Sequence, residues 1–233
     1  MSDTPISPRE LLASLFLSSN QVGGPPPLDD GGVDHGDDSV IFTARKALET
    51  VAGRARERGL IVLELGIQDA ADARALASFH AAIALQSVRF GRPAADTLLL
   101  SAGPVNAGEG ESQAGRFQLA LSLSLDAHPA IHGLACDPWI SGNPDRCTGF
   151  VLGPDTVARA RKLGMDAGAL LVSGQASALF EQLGDRLELE GAGTQTVLRA
   201  IFLSAKDDAN EDANEDANAD INGTPGSPRR HVT

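Results

Sequence analysis

Apolar residues in the middle of the chain follow first a helical and then a strand-like spacing. Residues 42–58 predict an amphipathic helix that ends at Gly59, because apolar residues recur every three or four positions. These positions are Ala44, Leu48, Val51 and Ala55. The run 60–65, bounded by Gly59 and Gly66, is short and apolar and predicts a strand.

The same alternation of helices and strands continues to residue 203. Residues 69–90 are rich in Ala and contain no Gly or Pro, which predicts a long helix. A proline near its first turn and a glycine after its end predict a second helix over 154–162. Three apolar runs predict further strands at 98–100, 131–135 and 197–203. This order predicts one layered α/β domain, with a mixed sheet flanked by helices.

The segment 119–125 fits two periods. Its leucines alternate with small residues, which favours a strand, but leucines four positions apart also form one face of a helix. The period alone slightly favours the strand.

The charge of the chain is concentrated at its two ends. The net charge is −12, yet residues 1–40 hold seven acids and one base, and residues 206–233 hold seven acids and three bases. Residues 18–40 are rich in Gly, Pro and Asp, which predicts a disordered linker after an isolated N-terminal helix in residues 1–17. We therefore expect one nearly neutral folded domain over 41–205 and an acidic, low-complexity tail over 206–233.

Composition excludes several classes of function. A net charge of −12 repels phosphate backbones, and only 4% of the residues are aromatic, so nucleic acid is not an expected partner. The longest apolar runs are far shorter than the roughly 20 residues of a membrane span. The absence of a signal-like start, together with only two cysteines, Cys136 and Cys147, predicts a cytoplasmic protein with reduced thiols.

Motifs for nucleotides and metals are weak. The phosphate-loop pattern GxxxxGK[ST] does not occur, and the glycine-rich run 108–115 carries two glutamates where a pyrophosphate would lie, which favours a surface loop. The run 191–196 is more typical of a hairpin or bulge than of an anion nest. Pro129 separates His128 from His132, so both are expected in a loop and no metal site is predicted.

The segment 137–153 is the most unusual predicted loop, because it follows a strand and holds the only tryptophan of the chain. Long loops at the carboxyl ends of strands often bind ligands. Asp137 and Asp145 could bind a cation or hydroxyl groups there, or equally well cap turns.

Residues 42–203 contain, in order, short motifs that match one known family. The matching segments are 47–52, 58–59, 80–83, 99–104, 114–119, 136–149, 156–161, 180–185 and 193–194. They resemble the C-terminal half of the type II glycerate kinases, the glycerate 2-kinases that contain the MOFRL domain and are also named hydroxypyruvate reductases. The resemblance implies a helix over 116–125, and we adopt the helix for this segment.

The resemblance also implies a binding site for glycerate and, in an active kinase, for ATP and magnesium. The candidate substrate-binding residues are Arg116, Gln118, Ser101, Gly103, Asp137 and Asp145. Arg116 is the one candidate for a catalytic role and would hold the substrate carboxylate. The resemblance also shows that polar residues of the family are replaced at several positions, among them Pro104, Phe117 and Leu119. The apolar residues that pack the family's core are therefore retained, whereas several of its polar residues are replaced.

Two functions follow from this comparison. The first is a degenerate member of the family that lacks the N-terminal domain and acts as a non-catalytic binding or assembly module. The second is an active glycerate kinase, or a subunit of a split one. The lost polar residues favour the first function, and a domain without its neighbour is expected to self-associate.

Overall fold

The computed structural model describes residues 6–16, 36–90, 95–137, 146–190 and 196–205, with the backbone alone for 36–39, Arg146 and Glu190. The helices are α1 Pro8–Phe16, α2 Gly36–Glu57, α3 Ala73–Arg89, α4 Gln113–Ser124, α5 Thr156–Lys162, α6 Ala167–Val172 and α7 Ala176–Leu183. The strands are β1 Ile61–Ile67, β2 Ala71–Asp72, β3 Thr97–Ala102, β4 Val105–Asn106, β5 Ile131–Cys136, β6 Arg146–Leu152, β7 Arg186–Glu190 and β8 Leu198–Leu203.

Six strands form one mixed sheet in the order β1-β3-β8-β5-β6-β7, and β2 pairs with β4 in a small second sheet. Strand β1 runs parallel to β3, whereas each of the other neighbouring pairs in the large sheet is antiparallel. Since β3 and β5 both pair antiparallel with β8, strands β1, β3 and β5 run in the same direction. Their carboxyl ends therefore lie together along one edge of the sheet. The predicted α/β domain with a mixed sheet is confirmed.

Helices cover both faces of the sheet and produce two hydrophobic clusters. Side chains of α1 and α2 pack on one face, and those of α3 to α7 pack on the other. The central strand β8 is buried along its whole length, which explains its almost continuous apolar sequence. Arg199 is the exception in this strand, and it lies on the face covered by α3 and α4.

Helix α1 is not isolated in the structure. Its apolar side chains Leu12, Leu15 and Phe16 are buried against the sheet. The Arg9 guanidinium donates to the buried Asp185 carboxylate at 2.5 Å, and Arg159 from α5 donates to the same carboxylate. A charged contact that is shared by distant parts of the chain therefore holds α1 on the domain.

The segment 119–125 is helical, as the resemblance implied, and the strand that its alternation favoured is wrong. Ser112 caps the helix, because its hydroxyl accepts from the Gly115 N–H at 2.8 Å. Helix α4 lies between the sheet, α3 and α7, so apolar residues are buried on several of its faces. Burial all round hides the usual helical period of the sequence.

Two predicted boundaries are corrected. Residues 36–40, predicted as linker, begin α2, since Asp and Ser are also common in the first turn of a helix. Residues 146–152, predicted as loop, form β6 between β5 and β7, where their backbone groups complete both ladders. The remaining linker predictions, the acidic tail, Asp145 and the turn at 191–195 lie outside the described residues.

The structure places His132 and both cysteines in strands of the large sheet. His132 lies on β5 and not in a loop, and its pKa is lowered by burial. The two cysteines, Cys136 and Cys147, are buried free thiols on neighbouring strands. None of the helices in the described part of the chain combines the length and apolarity that a membrane span requires.

Candidate functional site

The predicted site residues lie near the edge at which β1, β3 and β5 end. Gln68, Gly103 and Asp137 directly follow these strands, and the first turn of α4 lies beside them. Ligands of open α/β sheets usually bind at such an edge. The free donors and acceptors at this edge therefore determine which ligand it could bind.

The start of α4 is occupied by the carboxylate of Asp137. Its Oδ1 accepts from the Ala114 N–H at 2.7 Å, and its Oδ2 accepts from the Ser112 hydroxyl at 2.5 Å. Asp137 is 3% exposed, and burial raises the pKa of its carboxyl although these hydrogen bonds favour the charged form. The N–H groups that could hold an anionic ligand at this helix start are thus bound by the protein's own side chain.

The guanidinium of Arg116 is likewise occupied from within the chain. Its Nη1 donates to both carboxylate oxygens of Glu111, at 2.7 and 2.8 Å. Glu111 also accepts from the Gly108 N–H at 2.9 Å, and its side chain is only 7% exposed. The glutamate that predicted a surface loop is therefore folded inward, onto the candidate substrate-binding arginine.

A second arginine, Arg199, lies below this edge and is 1% exposed. Its Nε donates to the Ser101 hydroxyl and its Nη1 to the Gly103 carbonyl, both at 2.9 Å. Its guanidinium carbon lies 5.3 Å from the centre of the Phe117 ring, within cation–π range. Burial lowers the pKa of Arg199 to about 9, and its Nη2 is buried without a hydrogen-bond partner among the described residues.

The Leu76 carbonyl fixes the tautomer of the buried His80, which also contacts Ser101. His80 Nδ1 lies 2.8 Å from the Leu76 carbonyl oxygen, so this nitrogen carries the proton and donates it. His80 Nε2 then accepts from the Ser101 hydroxyl at 2.8 Å, while Ser101 accepts from Arg199. Burial first, and the charge of Arg199 in addition, lower the pKa of His80 to about 4, so the ring is neutral near pH 7.

This network supports the turn that follows β3. Gly103 has a φ of +134°, and a Cβ at this position would lie 2.2 Å from the Gln68 carbonyl oxygen. Only glycine fits this approach. Because Arg199 holds the Gly103 carbonyl, the predicted candidates Ser101 and Gly103 serve a buried structural network that sits beneath the edge.

A cleft of about 530 Å³ opens beside this turn, between α2 and the ends of β1 and β3. Its charged lining residues are Arg45, Glu49, Glu64 and Asp69. Three acids against one base disfavour the phosphates of a nucleotide. The described residues also contain no group of three or more His, Cys, Asp or Glu side chains that could hold a metal.

Sequence reasoning found part of this arrangement. The structure brings Arg116 and Asp137 to the start of α4, Ser101 and Gly103 to the buried network, and Gln118 to the Phe150 carbonyl at 3.1 Å. The sequence analysis had not predicted a role in this arrangement for His80, Glu111 or Arg199. A lone charge within the apolar run 197–203 was the signal for Arg199.

Comparisons with known proteins agree with the resemblance in the sequence. No family model matches the chain. Two proteins of Agrobacterium vitis, each named "Putative hydroxypyruvate reductase", are 29% identical over 157 and 153 residues, which is 64% and 63% of this chain. The matched stretches span only 36% and 40% of those relatives.

Solved structures show the same fold. A crystal structure of glycerate kinase from Thermotoga maritima matches 69% of this chain and 40% of its own, with a TM-score of 0.59 and 16% identity. The PH0495 protein of Pyrococcus horikoshii matches 70% of this chain and 39% of its own, with the same TM-score and identity. The resemblance to glycerate-kinase-like proteins is confirmed, over less than half the length of these relatives.

Proposed function

We propose that this chain is a glycerate-kinase-like domain without phosphotransferase activity of its own, which acts as a binding or assembly module. One observation carries the proposal: two internal carboxylates occupy the anion-binding groups at the start of α4. Asp137 binds the Ala114 N–H and the Ser112 hydroxyl, and Glu111 binds the guanidinium of Arg116. A phosphate or a substrate carboxylate would have to displace them, against the repulsion of like charges.

Three replaced side chains support the same conclusion. Pro104, in the turn after β3, has no N–H to donate to a phosphate. Phe117 and Leu119 are both fully buried, so neither reaches a ligand. Phosphoryl transfer depends on positioned donors and on metal ions that neutralise charge. At the start of α4 such donors are bound by Asp137 and Glu111 instead.

The test is a direct assay of phosphorylation. Purified protein is incubated with ATP, magnesium and D-glycerate, and ADP release is followed beside two variants, Arg116→Ala and Arg186→Ala. Arg186 is a matched control because its ion pairs with Glu181 and Glu188 are exposed. We expect no glycerate-dependent ADP release from any of the three proteins. Glycerate-dependent turnover by the unmodified chain would overturn the proposal, whether or not Arg116→Ala abolished it.

A second candidate function is that of a subunit of a phosphorylating enzyme. It is favoured by the retention of Arg116 in a chain whose curated relatives extend far beyond the matched stretch. In this case the substrate would be a small hydroxy acid such as glycerate, whose carboxylate Arg116 would bind. A neighbouring gene that codes for the unmatched part of the relatives would supply the protein with which to repeat the assay. Turnover in the mixture alone would favour this second function.

A further inference from the structure

The pair formed by Arg116 and Glu111 is not the best arrangement that a guanidinium and a carboxylate can adopt. Both oxygens of Glu111 contact the same nitrogen, Nη1 of Arg116. A carboxylate usually binds a guanidinium through two parallel hydrogen bonds to two different nitrogens. Nε of Arg116 is buried and has no hydrogen-bond partner among the described residues. The guanidinium therefore retains an unused donor inside the protein.

The Glu111 carboxylate also lies in an enclosed space and is not a solvated surface group. The Gly108 N–H binds it from one side, and Arg116 binds it from another. The turn at Gly174 closes a third side, since a Cβ at that glycine would come within 3.4 Å of Glu111 Cδ. Removal of this side chain would leave a small space lined by a cation and a backbone N–H, a combination suited to a carboxylate.

We infer that Glu111 is a built-in substitute for a small carboxylate ligand and keeps Arg116 from binding such a ligand from solution. The inference rests on the proposed function, in which this site is occupied by the protein itself. Glu111 is attached to the chain only five residues before Arg116, and its carboxylate accepts from one guanidinium nitrogen. A free α-hydroxycarboxylate such as glycolate has no such tether and can accept from two nitrogens of Arg116 at once. Charge repulsion by Glu111 excludes it in the unmodified chain.

The experiment removes the substitute and supplies a ligand. Glu111→Ala is compared with the unmodified chain and with Glu109→Ala, a matched control that removes an exposed acid from the same turn. Thermal unfolding is followed while glycolate or its neutral amide, glycolamide, is added at constant ionic strength. We expect glycolate to raise the Tm of Glu111→Ala in a saturable manner, and glycolamide to have no such effect. Neither the unmodified chain nor Glu109→Ala should respond, and Glu111→Ala/Arg116→Ala should lose the response.

Equal effects of glycolate on Glu111→Ala and on the unmodified chain would overturn the inference, as would an equal effect of glycolamide. If Glu111→Ala does not fold alone, it is refolded with and without glycolate. Recovery of folded protein that needs glycolate supports the inference, and recovery that is independent of it overturns the inference. The kinase assay uses the unmodified chain, so a failure of the proposed function would be seen there and not in these titrations.

Discussion

The two arginines near the edge of the sheet show two different ways of holding a positive charge. Arg116 lies at the start of α4, is 23% exposed and is neutralised by Glu111. Arg199 is 1% exposed and is held without a carboxylate, by one hydroxyl, one backbone carbonyl and the Phe117 ring. Removal of a charge from water is costly unless polar groups replace the water. Arg199 is therefore part of the structure, whereas Arg116 keeps the exposure that ligand binding would need.

The largest effect should come from Arg199→Ala. It leaves a cavity and removes the partner of the Gly103 carbonyl, so we expect a loss of about 3 to 5 kcal/mol in the free energy of unfolding. Urea unfolding measures it, with the exposed Arg186→Ala as the control, for which we expect less than about 1 kcal/mol. Similar losses for the two variants would show that the buried network is not structural.

The neutral state of His80 predicts how stability changes with pH. Its folded pKa of about 4 is below the ordinary value of 6.5, so the unfolded chain binds more protons between these values. Stability should fall by about 3 kcal/mol as the pH is lowered from 7 to 4. Urea unfolding at several pH values measures this change. Glutamine does not titrate, so in His80→Gln the free energy of unfolding should depend on pH less steeply by this amount. An unchanged slope would contradict the neutral histidine.

The smallest of the three effects should come from Arg116→Ala. Glu111 keeps the Gly108 N–H, and water can reach the space left by a partly exposed side chain, so we expect a loss of about 1 to 2 kcal/mol. The same urea experiment ranks this variant against Arg199→Ala. A loss as large as that of Arg199→Ala would remove the distinction between the two arginines.

Local periods predicted the helices α2, α3 and α5 and the strands β1, β3, β5 and β8, whereas α6, α7 and β7 were not predicted. The boundaries failed where local composition is ambiguous. Residues 36–40 have the composition of a linker but begin α2, and residues 146–152 gain their strand character from the neighbours β5 and β7. Helix α4 required the family resemblance, since its burial on several sides removes the contrast between polar and apolar faces.

The sequence indicated several of the residues that lie near this edge, but it did not indicate their contacts. Arg116 was expected to bind a ligand, and it instead binds Glu111. Asp137 was expected either to bind a ligand or to cap a turn, and it accepts from the Ala114 N–H at the start of α4. Asp137 is 23 residues away from the Ala114 N–H, so the sequence contains no local signal for this contact. His80 and Arg199 both contact Ser101, which requires the pairing of β3 with β8.

Helix α1 is held on the domain by non-covalent contacts. These are the burial of Leu12, Leu15 and Phe16 and the hydrogen bond that Arg9 donates to Asp185. Such a helix can in principle be supplied as a separate peptide, in the manner of fragment complementation. In the native fold, α1 contacts α2 and β7. Binding of a labelled α1 peptide to a chain without this helix would therefore show that the rest of the domain is natively packed.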